Sequence, residues 1–367
     1  MGYGCLIYLP AMAILSLQLP GASSPGDYAG SRACGACHSS QAGRQNSSAH
    51  AGALFRARDH PLAGSFGAGG MLLRTPSWRF EFFKKNGDLR TRISDTRISD
   101  TRGAADLPVM ELPMEWAFGA GRQAVTFVTR VDANWYVEHF ASWYPALHAW
   151  EATPGQDAIR PATLAGAAGA LYRTADPAAG IAGCFECHST GPVSFDAKGN
   201  VALGEPGVHC EACHGAGAAH VKKPARSNIE NPAKLTAGQM NQFCGRCHRA
   251  PPPPGVKTDF AYAWNVRHQP VYLSQSACFL RSAGKLSCLT CHDPHEPAGK
   301  KPAAFYDGVC MNCHAASASS PKAVCLERQP ANCVDCHMPL VSPQSPLRFT
   351  NHWIGVYGEG AKLKPLR

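Results

Sequence analysis

The chain has 367 residues, of which 17% are charged, with 36 glycines and 29 prolines. This length allows two ordinary domains, whereas so many glycines and prolines argue against long helices and strands throughout. The formal net charge is +9, but the charges are scattered and form no stripe, so the charge pattern does not indicate nucleic-acid binding.

The first 24 residues have the composition of an export signal. Residues 5–19 are apolar apart from Ser16 and Gln18, and small residues follow at 21–24. This pattern predicts a Sec signal peptide over residues 1–24, although no lysine or arginine precedes Arg32. An uncleaved anchor is the alternative, but about 15 apolar residues are short for a membrane span. We therefore expect a periplasmic or otherwise exported protein, with no span in the mature chain.

One pattern, Cys-x-x-Cys-His, occurs seven times, and we number its copies motifs 1 to 7 in chain order. The first cysteines are Cys34, Cys184, Cys210, Cys244, Cys288, Cys310 and Cys333; the second are Cys37, Cys187, Cys213, Cys247, Cys291, Cys313 and Cys336; the histidines are His38, His188, His214, His248, His292, His314 and His337. Zinc knuckles and disulfides also use paired cysteines, but neither requires histidine at this one position, and histidine is only 16 of 367 residues. The pattern instead predicts covalently attached haem c, with each motif histidine as the proximal iron ligand.

Seven haems would change how the composition is interpreted. A ferric haem with two propionates carries a net charge of about −1, so seven haems would bring the net charge of the protein to about +2. Each porphyrin is also a large apolar surface that can replace a protein core. We therefore expect a mainly α and irregular multihaem body, with short helices around stacked haems, plus a small antiparallel β-rich insert.

The motif positions divide the chain into four segments. These are a signal peptide (1–24), a first haem segment (25–60), a β-rich insert (61–160) and a hexahaem electron-transfer body (161–367). Within the insert, residues 78–83 alternate bulky and polar side chains, and Asn86-Gly87 predicts a hairpin turn before a return strand at 89–93. A second pair of strands is predicted at 124–130 and 134–140.

Nine histidines outside the motifs are candidates for the sixth ligand of an iron. We assign His50, His220, His268, His295 and His352 as distal ligands. His220 and His295 each follow a motif histidine closely, and neither can reach the opposite face of that motif's own haem, because the porphyrin lies between. Each should therefore bind a neighbouring haem. Which of His60, His139, His148 and His209 complete the ligand set stays open, and the aromatic surroundings of His139 and His148 favour structural roles.

Two cysteines remain outside the motifs and the signal peptide, namely Cys278 and Cys325. In an oxidising compartment two such cysteines usually bond to each other, so we expect a disulfide, with a free buried thiol as the alternative.

Several motif neighbourhoods resemble the cytochrome c-554-type multihaem proteins. They are residues 207–215 (Gly-Val-His-Cys-Glu-Ala-Cys-His-Gly) with His220 behind them, residues 243–249, and residues 287–295 (Ser-Cys-Leu-Thr-Cys-His-Asp-Pro-His), while residues 335–339 (Asp-Cys-His-Met-Pro) also resemble pentahaem nitrite reductases. The resemblance covers roughly 30–60 and 180–355, and it implies a helical, loop-rich haem array with two histidines on each iron and electron transfer as its task. The chain departs from the nitrite reductases, which use Cys-x-x-Cys-Lys at the catalytic haem, because all seven motifs here end in histidine.

Two functions fit these features. The favoured one is an exported electron carrier whose irons are largely saturated by two imidazoles, with other redox proteins or a quinol-linked donor as partners. For this function no catalytic residue is assigned. The alternative is an oxidoreductase that acts on a small nitrogen or sulfur oxyanion at one open haem. An arginine-rich segment could steer such an anion; its members are Arg90, Arg92, Arg97 and Arg102.

Overall fold

The computed structural model describes residues 25–67, 71–97, 108–174, 176, 180–253, 255–299, 301–314 and 332–366. Antiparallel strands dominate between residues 54 and 173, and short helices joined by loops make up most of the rest. Among the described helices, none combines the length and apolar character needed to cross a bilayer.

Eleven strands form the β-rich region. They are β1 (Leu54–Arg56), β2 (Met71–Arg74), β3 (Trp78–Lys85), β4 (Asp88–Asp95), β5 (Val109–Pro113), β6 (Trp116–Phe118), β7 (Thr126–Arg130), β8 (Trp135–His139), β9 (Ala141–Tyr144), β10 (Ala149–Ala152) and β11 (Gly169–Arg173). One sheet has the order β2-β3-β4-β5, a second has the order β1-β6-β7-β8-β11, and β9 pairs with β10. All of these pairs are antiparallel.

Both predicted hairpins are present, as β3–β4 and β7–β8. Asn86 and Gly87 connect β3 to β4 with φ angles of 53° and 88°, the left-handed values that a tight hairpin turn requires at both central positions. The five-stranded sheet extends past the predicted limits of 61 and 160, because β1 and β11 form its two edges. A strand as short as β1 carries too few residues for a recognisable alternation, so its pairing was not predictable from pattern.

The β-rich region has a protein core of large side chains. Phe82 stacks on Trp150 with ring centres 3.6 Å apart, and Phe80 stacks on Phe140 at 5.5 Å. A second apolar cluster joins this region to motif 2, since Phe185, which lies between the two motif cysteines, packs against the residues of β6 and β8. The described part of residues 54–203 thus has two apolar clusters, one within the β-rich region and one that connects it to motif 2.

The described part of the chain has twelve short α-helices, and seven of them carry the motifs. The helices are α1 (Ser31–Cys37), α2 (Ser39–Asn46), α3 (Leu164–Ala168), α4 (Ala182–His188), α5 (Cys210–His214), α6 (Ala218–Lys222), α7 (Ala237–His248), α8 (Gln269–Leu273), α9 (Ala277–Arg281), α10 (Cys288–Cys291), α11 (Ala303–His314) and α12 (Cys333–His337). Single 3-10 turns occur at Pro25–Asp27, Ala51–Ala53, Ala57–Asp59, Pro61–Ser65, Pro232–Lys234 and Ala263–Arg267. Cysteines three residues apart on a helix lie on one face, so both thiols of a motif point the same way.

Three further pairs of two-residue strands lie in the haem-motif segments. They are β12 (Ser189–Thr190) with β15 (Glu205–Pro206), β13 (Ser194–Phe195) with β14 (Val201–Ala202), and β16 (Leu340–Val341) with β17 (Phe349–Thr350). Few apolar residues are buried beyond position 207; those described are Ala237, Met240, Val266, Val271, Tyr272, Leu273, Val341 and Leu347. The twelve-residue helix α11 buries none of its described side chains. In the described part of residues 207–366 the protein core is therefore small, and it includes the ring contacts of Tyr272 with Phe260 and Trp353.

Candidate functional site

Four histidines outside the motifs face histidines of distant motifs. Their ring centres are 6.4 Å apart for His38–His220, 6.1 Å for His248–His50, 6.2 Å for His214–His295 and 6.2 Å for His292–His352. With metal–nitrogen bonds of about 2.0 Å on each side, two imidazoles that bind one metal from opposite faces have ring centres roughly 6 Å apart. All four separations fit an iron atom held between two imidazoles.

Hydrogen bonds at Nδ1 orient several of these rings. An imidazole that donates from Nδ1 has its tautomer fixed and its Nε2 left for a metal. Backbone carbonyl oxygens accept this bond at 2.8–3.0 Å; they belong to Ala53 for His188, Glu230 for His214, Ala225 for His220, Gly355 for His337 and Thr350 for His352. The chain therefore holds these rings before any iron contributes.

Burial keeps several of these imidazoles neutral. Loss of solvation is the main reason that the pKa values of His50, His188, His248 and His292 are lowered, and it lowers the pKa of His352 to about 4. Only the neutral ring has a nitrogen lone pair for a metal. The protein environment thus favours the protonation state that iron requires.

Thiols of different motifs lie next to each other. The thiols of four cysteine pairs lie close enough to interact, namely Cys34 with Cys210, Cys187 with Cys247, Cys244 with Cys288, and Cys310 with Cys333. Weaker electrostatic interactions link Cys213 to Cys244 and Cys291 to Cys310. Each motif therefore adjoins another, and motif 4 adjoins motifs 2, 3 and 5.

A buried carboxylate ties motif 1 to motif 3. Glu211 lies between the cysteines of motif 3 and is 4% exposed. It accepts hydrogen bonds from the backbone N–H groups of Ala29 at 2.8 Å, Gly30 at 2.7 Å and Gly217 at 2.7 Å. Since Gly30 directly precedes α1, this carboxylate fixes the start of the motif 1 helix against motif 3.

Three motif histidines have no imidazole opposite them within the described residues, namely His188, His314 and His337. The ring of His188 has Phe118 as an edge-on neighbour at 5.2 Å. Among the predicted distal ligands, His268 faces no motif histidine in the part of the chain that the structure describes. Burial lowers the pKa of His268 to about 4, and the nearby charge of Arg249 adds to this effect. Its assignment as an iron ligand stays a prediction.

The other four histidines have protein partners or are exposed. His60 donates from Nε2 to the carbonyl of Gly119 at 3.1 Å and accepts a backbone N–H at Nδ1. His139 is buried and bonds to threonine hydroxyls on β4 and β7. His148 is exposed in the turn between β9 and β10, and Nε2 of His209 bonds to a backbone carbonyl at 3.0 Å. His60 and His139 thus have structural roles in the β-rich region.

The predicted disulfide lies partly outside the described residues, because Cys325 is not among them. Cys278 is a free, partly exposed thiol in the described chain. The predicted anion-steering arginines have other partners: Arg90 and Arg92 pair with Glu111 at 2.5 and 3.4 Å, and Arg97 pairs with Asp95 at 2.6 Å. Arg102 lies outside the described residues.

A group of polar side chains near motif 2 was not predicted. Burial raises the pKa of Glu138 and lowers that of Arg267, and the two side chains attract each other. Arg267 also acts electrostatically on His188, and Tyr172 donates a hydrogen bond to Glu138 at 3.4 Å. These residues come from β8, β11 and the turn before α8, so no sequence pattern could have brought them together.

Comparison with known proteins gives a local family match. Residues 143–215 match the family described as cytochrome c554 and c-prime. Motifs 2 and 3 lie in this segment. An undecaheme cytochrome from the S-layer of Carboxydothermus ferrireducens aligns with 87% of this chain at a TM-score of 0.45 and 16% identity. The chain spans 52% of that protein's length. No curated protein matches the chain.

The family match and the repeated motifs together support a multihaem c-type cytochrome. Proteins of that class bind haem c covalently and transfer electrons.

Proposed function

We propose that this chain is an exported electron carrier with seven haem c groups, at least four of them held between two imidazoles. The observation that carries the proposal is the set of four histidine pairs with ring centres 6.1–6.4 Å apart. Haem c supplies an iron that takes up and releases one electron. Two imidazoles on one iron leave no position for a substrate, which favours electron transfer over catalysis.

The chain's own residues then anchor, orient and space the cofactors. Paired thiols on one helix face would attach each porphyrin. The Nδ1 hydrogen bonds described above would leave the Nε2 atoms of His188, His214, His220, His337 and His352 free to bind iron. The thiol contacts arrange the motifs in the order 1, 3, 4, 5, 6 and 7, with motif 2 beside motif 4. Motifs 1, 2 and 7 form the ends of this arrangement, where redox partners would dock.

Export follows from the chemistry and the N-terminal sequence. Haem c is attached outside the bacterial cytoplasm, and residues 1–24 have the pattern of a Sec signal peptide. We expect other redox proteins or a quinol-linked donor as partners in the periplasm or at the cell surface.

Two measurements test the proposal. Mass spectrometry of the mature, denatured protein should show seven haem additions, and a start after residue 24. Low-temperature electron paramagnetic resonance of the oxidised protein should show low-spin iron for at least four haems. Fewer than seven additions would refute the haem number. A spectrum dominated by high-spin iron would refute the histidine pairing.

A second candidate function is reduction or oxidation of a small nitrogen or sulfur oxyanion at motif 2. It is favoured by one observation, namely that His188 has no opposing imidazole within the described residues while Arg267 lies nearby. An arginine beside an open iron could bind an anion through its guanidinium.

Kinetics of the reduced protein separate the two functions. Rapid, saturable reoxidation by nitrite, hydroxylamine or tetrathionate, lost in Arg267→Gln, would establish the enzyme. Slow reoxidation by all three, with fast exchange with another cytochrome, would establish the carrier.

A further inference from the structure

One of the paired imidazoles has a different hydrogen-bond partner from the others. Nδ1 of His295 donates to Oδ1 of Asp293 at 3.0 Å, and the same oxygen accepts the backbone N–H of His295 at 2.9 Å. The other described partners at the paired rings are uncharged. They are the backbone carbonyls already named, the carbonyl of Pro294 for His50, the side chain of Gln269 for His248, and the amide oxygen of Asn228 for His220. Among the described residues, only the pair His214–His295 thus receives a carboxylate.

A carboxylate at this position changes the electronic balance of the iron. An imidazole whose N–H donates to a negative charge is more basic and a stronger ligand than one bonded to a carbonyl. Reduction of ferric iron adds one electron and removes one positive charge, and the proton stays on Nδ1. Both the stronger ligand and the nearby negative charge stabilise the ferric form, so they lower the reduction potential.

A neighbouring arginine opposes this effect only in part. Arg44 contacts the other carboxylate oxygen, Oδ2 of Asp293, at 2.7 Å, and it also contacts Glu296 at 3.1 Å. Arg44 and His295 thus bind different oxygens of the carboxylate, and the side chains of Arg44 and Asp293 are about a third exposed, at 37% and 32%. Water screens the more distant charge, whereas the hydrogen bond acts directly on the ligand.

We propose that Asp293 gives the haem between His214 and His295 the lowest reduction potential of the four imidazole-paired haems. The inference rests on the ligation proposed above, and Asp293 acts as a positioning residue through His295. In the motif order given above, motif 3 lies between motif 1 and motif 4. An electron that passes from motif 1 to motif 4 would therefore cross an energetically uphill step at motif 3.

The test uses the complete haem-loaded protein and two reciprocal substitutions. Asp293→Asn keeps an acceptor oxygen for Nδ1 but removes its charge. Asn228→Asp places a carboxylate at the corresponding position of His220, which faces His38. Potentials are measured by poising the protein and recording its paramagnetic resonance spectrum at each potential. The spectrum of His295→Ala, in which one low-spin signal is lost, identifies the signal that belongs to motif 3.

In Asp293→Asn, the ratio of reduced to oxidised motif 3 haem at a fixed potential should rise about tenfold. This corresponds to an upward shift of its reduction potential by about 59 mV for one electron. Asn228→Asp should lower the potential of a different haem by a similar amount. Arg44→Gln, which leaves Asp293 unneutralised, should move the motif 3 potential downwards. A merely structural role for Asp293 would not give opposite shifts in Asp293→Asn and Arg44→Gln.

Three results would overturn the inference. Unchanged potentials with intact low-spin signals in Asp293→Asn would refute it while leaving the proposed ligation standing. Conversion of the motif 3 haem to high spin in Asp293→Asn would show that Asp293 holds the ligand and does not tune it. Absence of low-spin signals in the natural protein would refute the ligation and the inference together.

Discussion

Residues 54–203 and residues 207–366 are stabilised in different ways. The first region buries large aromatic side chains between antiparallel strands, with Trp150 in contact with both Phe82 and Phe127. The second contains five motifs, and its helices bury little protein surface; α11 buries no described side chain. Besides a small aromatic cluster of Phe260, Tyr272 and Trp353, the second region has facing imidazoles and adjacent thiols.

The difference shows what a covalent cofactor does for a fold. A region with few apolar side chains cannot offset the loss of chain entropy by burial alone. In the second region the apolar surface is expected to come from porphyrins, and the thioether bonds restrict the unfolded chain. Glycine- and proline-rich segments are tolerated there because the cofactor sets the position of each helix. The predictions below test this division.

The largest expected effect is that the second region fails to fold when haem attachment is prevented. A chain expressed without haem attachment should keep the strands of residues 54–173 folded, because their main apolar cluster consists of protein side chains, while residues 207–366 remain unfolded. Limited proteolysis with mass spectrometry should yield a resistant fragment from the first region and rapid cleavage within the second. Equal protection of both regions would contradict the comparison.

A matched pair of phenylalanine-to-alanine substitutions compares the stability of the two regions in the haem-loaded protein. Phe82→Ala removes a side chain that is 0% exposed, so it should lower the free energy of unfolding of the β-rich region by about 3–5 kcal/mol. Phe305→Ala on α11, where the ring is 40% exposed, should cost less than about 1 kcal/mol. Denaturant unfolding followed by tryptophan fluorescence and by haem absorbance measures each region. Equal losses would argue against different modes of stabilisation.

Acid should destabilise the β-rich region through His139. Burial lowers the pKa of this ring to about 4 from an ordinary value of 6.5. The unfolded chain therefore binds a proton at a higher pH than the folded chain. The stability that depends on a neutral His139 is fully present above pH 6.5. It declines as the pH falls towards 4, by about 3 kcal/mol in total. His139→Gln should remove this part of the pH dependence in denaturant unfolding; an unchanged profile would assign it to other groups.

The smallest effect on stability should come from removal of a distal ligand. His352→Ala should convert one haem from low to high spin, because His292 would lose its opposing imidazole. The β-rich region should unfold at an unchanged denaturant concentration. His148→Ala, at an exposed turn, is the control and should leave the spectrum as it was. A low-spin spectrum retained in His352→Ala would mean that another ligand binds that iron.

Some features of this protein depend on neighbouring residues alone, and these were predictable. The spacing Cys-x-x-Cys-His on one helical turn places two thiols on one face regardless of the rest of the chain. In the same way, Asn86-Gly87 between alternating strands specifies the β3–β4 hairpin, because few residues adopt the left-handed backbone of that turn.

Other features depend on contacts between distant segments, and only the tertiary structure decided them. His50 faces His248 and His220 faces His38, across much of the chain, whereas His268 faces no motif histidine within the described residues. Sequence spacing identified all of these histidines as candidate iron ligands. It could not tell which of them face a motif histidine, because that depends on how two distant segments pack together. The same holds for β1 and β11, which pair with strands far from them in sequence. Asp293 is two residues before His295 in the sequence, but the uncharged partners of His50 and His248 come from segments that only the tertiary structure brings to them.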